Sequence, residues 1–177
     1  MEKFHSLCSG FIYPSRTVLF TLLTSFRLIS DRGGYNFPPV RRWTVHKKLG
    51  YSPLECDKIF VPIHQEIRWC LAVINKKDET FQYLDSLKRV DSQVLNVLAR
   101  YYVDEVKEKS GKDLNVSSWE REFVKDLPKQ ENVFDCGVFM LKYANFYCRD
   151  VGLCFSQQHM PYFRQRIAKE ILKLRAE

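Results

Sequence analysis

The hydrophobic and polar positions of the chain follow strand spacing in its middle part. Residues 59–63 and 69–74 are apolar, β-branched runs that predict two strands, and the second run is so continuously apolar that both of its faces should be covered. A polar turn at 75–79 leads into a further strand at 80–85. We therefore expect the strands at 69–74 and 80–85 to pair as an antiparallel hairpin.

Helical spacing dominates the second half of the chain. Three segments carry it, and they cover residues 91–109, 137–147 and 156–175. Asp91 is a suitable N-cap for the first helix, and Cys136 lies at the N-terminal end of the second, which is apolar on nearly all sides and should be buried. A short strand is expected at 122–124. This set of elements predicts an α+β fold, in which a small mixed β-sheet is flanked by helices.

Composition and charge indicate one ordinary domain with an acidic partner. The chain has 177 residues, of which 45% are hydrophobic and 28% charged, so a disordered or coiled-coil protein is excluded and a single domain is favoured. The net charge of +7 suits an acidic protein, a nucleic acid or an anionic membrane without choosing among them. Part of this charge lies in residues 30–57, where Gly and Pro pairs predict a loop.

Cysteine spacing and the N-terminal segment argue against a metal site and a membrane anchor. The six cysteines include no C-x-x-C pair and no Cys/His cluster at ligand spacing, so we expect reduced thiols and neither a metal nor another cofactor. The longest uncharged run near the N-terminus, residues 17–26, is shorter than the roughly 20 apolar residues that a spanning helix needs. No membrane association is therefore expected.

Cys136 is a candidate nucleophile because of its place at a helix start. The positive end of the helix dipole and the free backbone N–H groups there favour the thiolate, although a buried structural thiol is a more common occupant of such a position. Gln130, in the upstream loop, could direct its amide at a developing oxyanion, or could be an exposed loop glutamine. Asp85 could orient a base on the facing strand, or could cap a turn.

Several ordered blocks of the sequence resemble one enzyme family. They are VPIH at 61–64, WCLAVI at 69–74, YLDS at 83–86, Gln130 with DCG at 135–137, and FSQQHMPYFR at 155–164. At this spacing they resemble the SUMO-specific proteases of the ubiquitin-like-specific protease (ULP/SENP) family, with the plant branch nearest, from about Ser30 to the C-terminus. The resemblance implies a papain-like cysteine protease fold and hydrolysis at the C-terminal glycine of SUMO, in precursors or isopeptide conjugates. It also implies SUMO and SUMO-conjugated proteins as partners, and a nuclear or nucleocytoplasmic location.

The resemblance assigns roles to four residues and shows one departure. It makes Cys136 the nucleophile, Asp85 the acid of the triad and Gln130 the oxyanion-hole donor. Trp69 falls on the tryptophan that lines the channel for the Gly-Gly tail of the substrate. The catalytic histidine of the family stands immediately before this tryptophan, and here that position is Arg68. Arginine stays protonated at any working pH, so it cannot accept the thiol proton, although its charge could pair with Asp85 and stabilise a thiolate.

His64 is the nearest histidine that could replace this base. If the strand is regular, His64 points to the same face as Arg68 but lies roughly 13 Å along the sheet. This distance is too long for a hydrogen bond to Cys136, so we expect His64 to be a structural side chain.

Two further features depart from the family pattern. Val133 takes the place of a glycine in the loop before the cysteine, where a β-branched residue would be strained at positive φ. Residues 1–25 lack the Trp-Leu-Asn-Asp motif with which the family's domain normally opens. We therefore expect an N-terminally truncated domain, with an atypical segment at 1–29 and the catalytic domain at 30–177.

Three functions are compatible with these observations. The first is a SUMO-specific cysteine protease, whose activity is in question because of Arg68. The second is a pseudoprotease that binds SUMO without cleaving it, with basic residues meeting an acidic partner. The third takes the charge of +7 as a nucleic-acid footprint, and we rank it last because no nucleic-acid-binding motif accompanies the charge.

Overall fold

The computed structural model describes residues 19–20, 35–41, 44, 51–65 and 67–173. Its strands are β1 (Leu19–Phe20), β2 (Lys58–Gln65), β3 (Arg68–Asn75), β4 (Thr80–Leu84) and β5 (Glu120–Phe123). Its α-helices are α1 (Pro38–Arg41), α2 (Ser92–Ser110), α3 (Cys136–Cys148) and α4 (Met160–Lys173), and two 3-10 turns lie at Pro53–Glu55 and Gln157–His159. The strands and long helices predicted from spacing are all present, with small shifts at their ends.

β3 is the central strand of a mixed five-stranded sheet. The strand order is β1-β2-β3-β4-β5, with antiparallel pairing on both sides of β3 and parallel pairing at the two outer positions. Residues 70–74 of β3 are each at most 1% exposed, because the sheet packs against apolar side chains on both faces. The expected hairpin, the mixed sheet and the two-sided burial of this run are confirmed.

One face of the sheet packs on α2. The contact joins Cys70, Ala72 and Ile74 of β3 to apolar helix residues that include Val94, Leu95 and Leu98. The helix begins as predicted, because the Asp91 carboxylate accepts hydrogen bonds from the backbone N–H groups that follow it. It ends at Gly111, which has a φ of 70°, a left-handed conformation that glycine adopts without strain. The chain then returns as β5 beside β4.

The opposite face of the sheet holds α3. Leu71 and Val73 alternate along β3 with the residues that face α2, and they belong to the apolar cluster of α3. Phe139 of α3 is fully buried and lies in an aromatic cluster with Tyr143 and Phe155, at ring-centroid distances of 6.0 and 5.9 Å. Because α4 packs on α3 as well, α3 is apolar on nearly all sides, as its sequence predicted.

The polypeptide before β2 contacts α2 and contains a short helix. α1 begins at Pro38, since proline is favoured in the first turn of a helix, and this corrects the loop expected throughout 30–57. Arg41 pairs with Glu108 of α2 at 3.1 Å. The backbone oxygen of Thr44, a fully buried residue, accepts a hydrogen bond from Lys109. One basic residue of this region, Arg41, is therefore paired with an acidic residue of α2 at the protein surface.

Most of the N-terminal segment lies outside the described residues. Of residues 1–34 the structure describes only β1, so the division between 1–29 and 30–177 stays a prediction. No helix in the described part of the chain is long and apolar enough to cross a bilayer. The same residues contain no group of three or more His, Cys, Asp or Glu side chains placed to bind a metal ion.

Phe139→Ala should destabilise the domain by about 3–5 kcal/mol, because it opens a cavity between α3 and the sheet. Leu172→Ala on α4 is the control: that side chain is 83% exposed, and its loss should change the free energy of unfolding by less than about 0.5 kcal/mol. Urea denaturation followed by circular dichroism measures both variants. Equal losses of unfolding free energy in the two variants would contradict the packing of α3 on β3.

Candidate active site

Cys136 is the first residue of α3, at the helix end that carries unpaired backbone N–H groups. It is 7% exposed. The N-cap residue Asp135 makes no side-chain capping bond, while its carbonyl oxygen accepts the N–H of Phe139 at 3.0 Å. The N-cap side chain therefore does not occupy the N–H groups of the first turn, and these groups and the helix dipole favour a negative charge at the thiol.

A groove of about 700 Å³ opens at Cys136. Its lining is mostly apolar and includes Pro62, Ile67, Trp69, Val133, Phe134, Met140 and Leu141. Trp69 lies against the first turn of α3, because a Cβ atom placed on Gly137 would lie 3.5 Å from its Cδ1 atom. The thiol and the indole therefore lie side by side in one groove.

Asp85 follows β4 directly and is 3% exposed. Its Oδ1 atom accepts the N–H of Leu87 at 2.8 Å, and its carbonyl oxygen accepts the N–H of Lys88 at 2.9 Å, so the residue does close a turn. Its Oδ2 atom is buried and has no hydrogen-bond partner among the residues that the structure describes. The turn thus uses one carboxylate oxygen and leaves the second available to orient another group.

Gln130 is a buried residue, 2% exposed, and not an exposed loop glutamine. Its Oε1 atom accepts a hydrogen bond from the Ser86 hydroxyl at 2.8 Å, and its Nε2 atom donates to the carbonyl oxygen of Asn132 at 2.5 Å. Its backbone N–H donates to the Ser86 carbonyl oxygen at 3.0 Å. The amide is therefore held in one orientation between the turn after β4 and the loop before α3.

Arg68 is the first residue of β3, directly opposite Gln65 of β2. Its Nη2 atom donates to Gln65 Oε1 at 2.7 Å, and Gln65 Nε2 in turn donates to Asp91 at 2.9 Å. Arg68 and Asp85 carry opposite charges and could form an ion pair. Among the described residues, this pair is not formed. The Nε atom of Arg68 is buried and has no hydrogen-bond partner there. Gln65, which Asp91 holds in turn, therefore takes the place of Asp85 in holding the guanidinium.

His64 lies on β2, and the chain reverses between it and Arg68. The strand register pairs His64 with Trp69, and their ring centroids are 4.5 Å apart. The separation of roughly 13 Å expected for a regular strand is wrong, because the chain reverses between Gln65 of β2 and Arg68 of β3, which lie directly opposite each other. His64 is thus next to a residue that lines the groove, while it is not itself part of the lining.

Cys70 is a second thiol close to these groups, and it is 1% exposed. The Tyr83 hydroxyl donates a hydrogen bond to its Sγ atom at 3.2 Å. Burial raises the pKa of the Cys70 thiol to about 12, which outweighs the lowering by this hydrogen bond, and the charges of Asp85 and Arg68 act on it in opposite directions. Cys70 is therefore a neutral structural thiol, as the sequence predicted for most of the cysteines.

Val133 does not show the strain expected from replacing a glycine. Among the described residues, the non-glycine positions with positive φ are Glu79, Lys88 and Asp150. The Val133 side chain is 87% exposed and lies at the edge of the groove. The loop before α3 therefore accepts a β-branched residue here without a left-handed backbone.

Sequence reasoning missed the polar network that holds this loop. Asp135 is 3% exposed and accepts hydrogen bonds from Asn132, Gln157 and Arg164. Arg164 is 29 residues away in sequence, and the packing of α4 on α3 brings it to Asp135. The one signal in the sequence was an acidic residue directly before the candidate nucleophile.

The fold is that of a known class of catalytic domain. It superposes with a TM-score of 0.74 on the X-ray structure of the C-terminal Ulp1 protease domain in complex with Smt3, the yeast orthologue of SUMO. The two sequences are 25% identical, and the match covers 90% of this chain and 70% of that one. The catalytic domain of the Chaetomium thermophilum Ulp1-like SUMO protease superposes with a TM-score of 0.64, at 27% identity, over 83% of this chain and 56% of that one. The predicted α+β protease fold is confirmed.

Sequence comparison gives the family. The model of the Ulp1 protease family, C-terminal catalytic domain, matches residues 15–176. Ubiquitin-like-specific protease ESD4 of Arabidopsis thaliana is 60% identical over 151 residues, which are 85% of this chain and 31% of that protein. Sentrin-specific protease 2 of Homo sapiens is 38% identical over 142 residues, 79% of this chain and 23% of that protein. The chain belongs to the Ulp1 family of cysteine proteases, and it spans less than a third of the length of these relatives.

Cys70 should resist alkylation in the native protein, because burial raises its pKa to about 12. At about pH 8, iodoacetamide should label the exposed Cys154 at least about tenfold faster than Cys70. Mass spectrometry of the two peptides measures the rates. In denatured protein, which is the control, both thiols should react alike. Similar rates in the native protein would contradict the buried position of Cys70.

Proposed function

We propose that this chain is a SUMO-directed cysteine protease domain whose turnover is limited by proton transfer. The observation that carries the proposal is the place of Cys136, at the start of α3 and in the same groove as Trp69. Membership of the Ulp1 protease family supports the substrate class, since one structural relative was solved in complex with Smt3. The bond to be cleaved follows the C-terminal glycine of SUMO, in a precursor or in an isopeptide conjugate.

In the proposed reaction, the Cys136 thiolate attacks the carbonyl carbon of this glycine. Negative charge develops on the carbonyl oxygen, and the N–H groups at the start of α3 and the amide of Gln130 stabilise it. The fixed, buried amide of Gln130 supports this role. Trp69 lines the same groove as Cys136, and in the proposed reaction it borders the path of the tail.

Arg68 cannot complete this reaction. A base must take the thiol proton, return it to the leaving amine as the C–N bond breaks, and later activate the water that hydrolyses the thioester. The guanidinium is protonated at any working pH and has no lone pair for these transfers. In a serine hydrolase, loss of the catalytic histidine lowers turnover on the order of a million-fold, so we expect turnover here to be severely depressed.

The contacts of Arg68 favour a second candidate function, a pseudoprotease that binds SUMO without cleaving it. Arg68 is held by Gln65, and the Oδ2 atom of Asp85, which would orient a base, has no partner in the described part of the chain. Arg68 is not among the residues that line the groove, so recognition of the tail can persist without turnover. The net charge of +7 is suited to an acidic protein partner.

We propose the location and the cofactor requirement on the same family basis. The family resemblance supports a nuclear or nucleocytoplasmic protein that meets SUMO and SUMO-conjugated proteins. The proposed reaction requires no bound cofactor, because the thiol of Cys136 is the nucleophile and Asp85 and Gln130 support it.

Arg68→His should raise the rate of cleavage of a SUMO C-terminal fusion by at least about a hundredfold over wild type. An imidazole at this position exchanges protons at neutral pH and can be oriented by the free oxygen of Asp85. Gel analysis of the cleaved fusion gives the rates. Arg68→Gln is the matched control, because it removes the same charge without adding a base and should gain nothing. Adding Cys136→Ser to Arg68→His should abolish the gain.

The results of this experiment distinguish the two candidate functions. Slow cleavage by wild type together with a large rate increase in Arg68→His supports the protease whose turnover is limited by proton transfer. Stoichiometric SUMO binding by a wild type that shows no cleavage supports the pseudoprotease. If wild type cleaves as fast as Arg68→His, the proposed limiting step is wrong, and His64→Gln then tests His64 as the base. If no variant cleaves or binds SUMO, the proposed substrate is wrong.

A further inference from the structure

The loop before α3 is held by a carboxylate that has no role in the proposed chemistry. Asp135, which precedes Cys136, is 3% exposed. Its Oδ2 atom accepts hydrogen bonds from Asn132 Nδ2 at 2.6 Å and from Gln157 Nε2 at 2.7 Å. Its Oδ1 atom accepts one from Arg164 Nε at 2.6 Å and also contacts the Nη2 atom of Arg164. Side chains from the loop, the second 3-10 turn and α4 therefore converge on one buried carboxylate.

Asp135 is negatively charged, and it lies next to the candidate nucleophile in sequence. Burial alone would raise the pKa of its carboxyl, but the hydrogen bonds from Asn132, Gln157 and Arg164 outweigh burial and hold the pKa below its ordinary value. A like charge near Cys136 disfavours the thiolate, and the effect is larger in a buried site than in water. Of the three donors, Arg164 alone carries a charge that can cancel that of Asp135.

Arg164 belongs both to this network and to the groove. Arg164 is the one charged residue among the described residues that line the groove. Its Nη2 atom donates a hydrogen bond to the carbonyl oxygen of Phe134 at 3.0 Å, which holds the backbone just before Asp135. A positive charge near a thiol favours the ionised form. Arg164 therefore shares the groove with Cys136 and pairs with the residue directly before it.

We propose that Arg164 is a positioning residue that raises the thiolate fraction of Cys136 by neutralising Asp135, an inference that rests on the proposed nucleophilic role of Cys136. The network also holds the proposed oxyanion donor, since the carbonyl oxygen of Asn132 accepts the amide of Gln130 while its side chain donates to Asp135. Without Arg164, a buried carboxylate would remain unneutralised directly before the nucleophile.

Other charged and titratable groups lie on the elements and loops that form the site. They are His64 on β2, Arg68 at the start of β3, Asp85 after β4, Glu131 in the loop and His159 in the second 3-10 turn. All of them are the same in wild type and in the variants described below. A difference between variants therefore reports on Asp135 and Arg164.

The test is the pH dependence of Cys136 alkylation by iodoacetamide in the full chain, measured by mass spectrometry of its peptide. Arg164→Gln should move the midpoint of the rate profile upward by about one pH unit, which is about a tenfold loss of rate below the midpoint. The double variant Asp135→Asn with Arg164→Gln should return the midpoint to that of wild type, because both charges are then removed. A merely structural role of Arg164 would not produce this restoration.

Arg166→Gln is the matched control. Arg166 lies further along α4 and pairs with Glu170 at 3.0 Å, so this change removes the same charge from the same helix without touching Asp135. Its midpoint should equal that of wild type. Arg164→Lys keeps the positive charge, so the midpoint of its alkylation profile should lie close to that of wild type.

The inference alone is overturned if the Arg164→Gln midpoint equals that of wild type, or if the double variant does not restore it. If Arg164→Gln does not fold, the variant Asp135→Asn tests the inference instead. The midpoint of its alkylation profile should lie below that of wild type, and an unchanged midpoint overturns the inference. If native Cys136 alkylates no faster than Cys70, the chain has no reactive thiol at this site, and the proposed function fails together with the inference.

Discussion

The packing of α3 on β3 is the constraint on which the site depends. β3 is buried on both faces, and a shift of its register by one residue would turn Leu71 and Val73 away from α3. Trp69 lies earlier on the same strand and meets the first turn of α3, where Cys136 lies. Core side chains on both elements therefore place the thiol in the groove.

Formation of a thiolate and turnover are separate physical requirements at this site. A thiolate needs positive potential, which the start of α3 supplies and to which Arg164 contributes under the inference drawn above. Turnover needs a group that gains and loses a proton near neutral pH, and Arg68 cannot be that group. The fold can thus retain a reactive cysteine and a formed groove while hydrolysis is lost.

Local patterns predicted the elements well, while chain reversals and contacts between distant residues were the main sources of error. Asp91 and Gly111 mark the ends of α2 as such residues usually do, and the apolar run in β3 indicated the central strand. The position of His64 was wrong because spacing along one strand carries no information about where the chain reverses. The buried side chain of Gln130 is held by a hydrogen bond from Ser86, a residue 44 positions away.

The sequence by itself determined that a cysteine begins a buried helix, and its resemblance to the family predicts that Arg68 stands at the position of the catalytic histidine. The helix start follows from local spacing, and the inability of Arg68 to transfer a proton follows from its residue type, because both are properties of short segments. Tertiary structure alone decided that Arg68 is held by Gln65 and that Arg164 meets Asp135. These pairings depend on strand reversal and helix packing, which bring side chains together without regard to their separation along the chain.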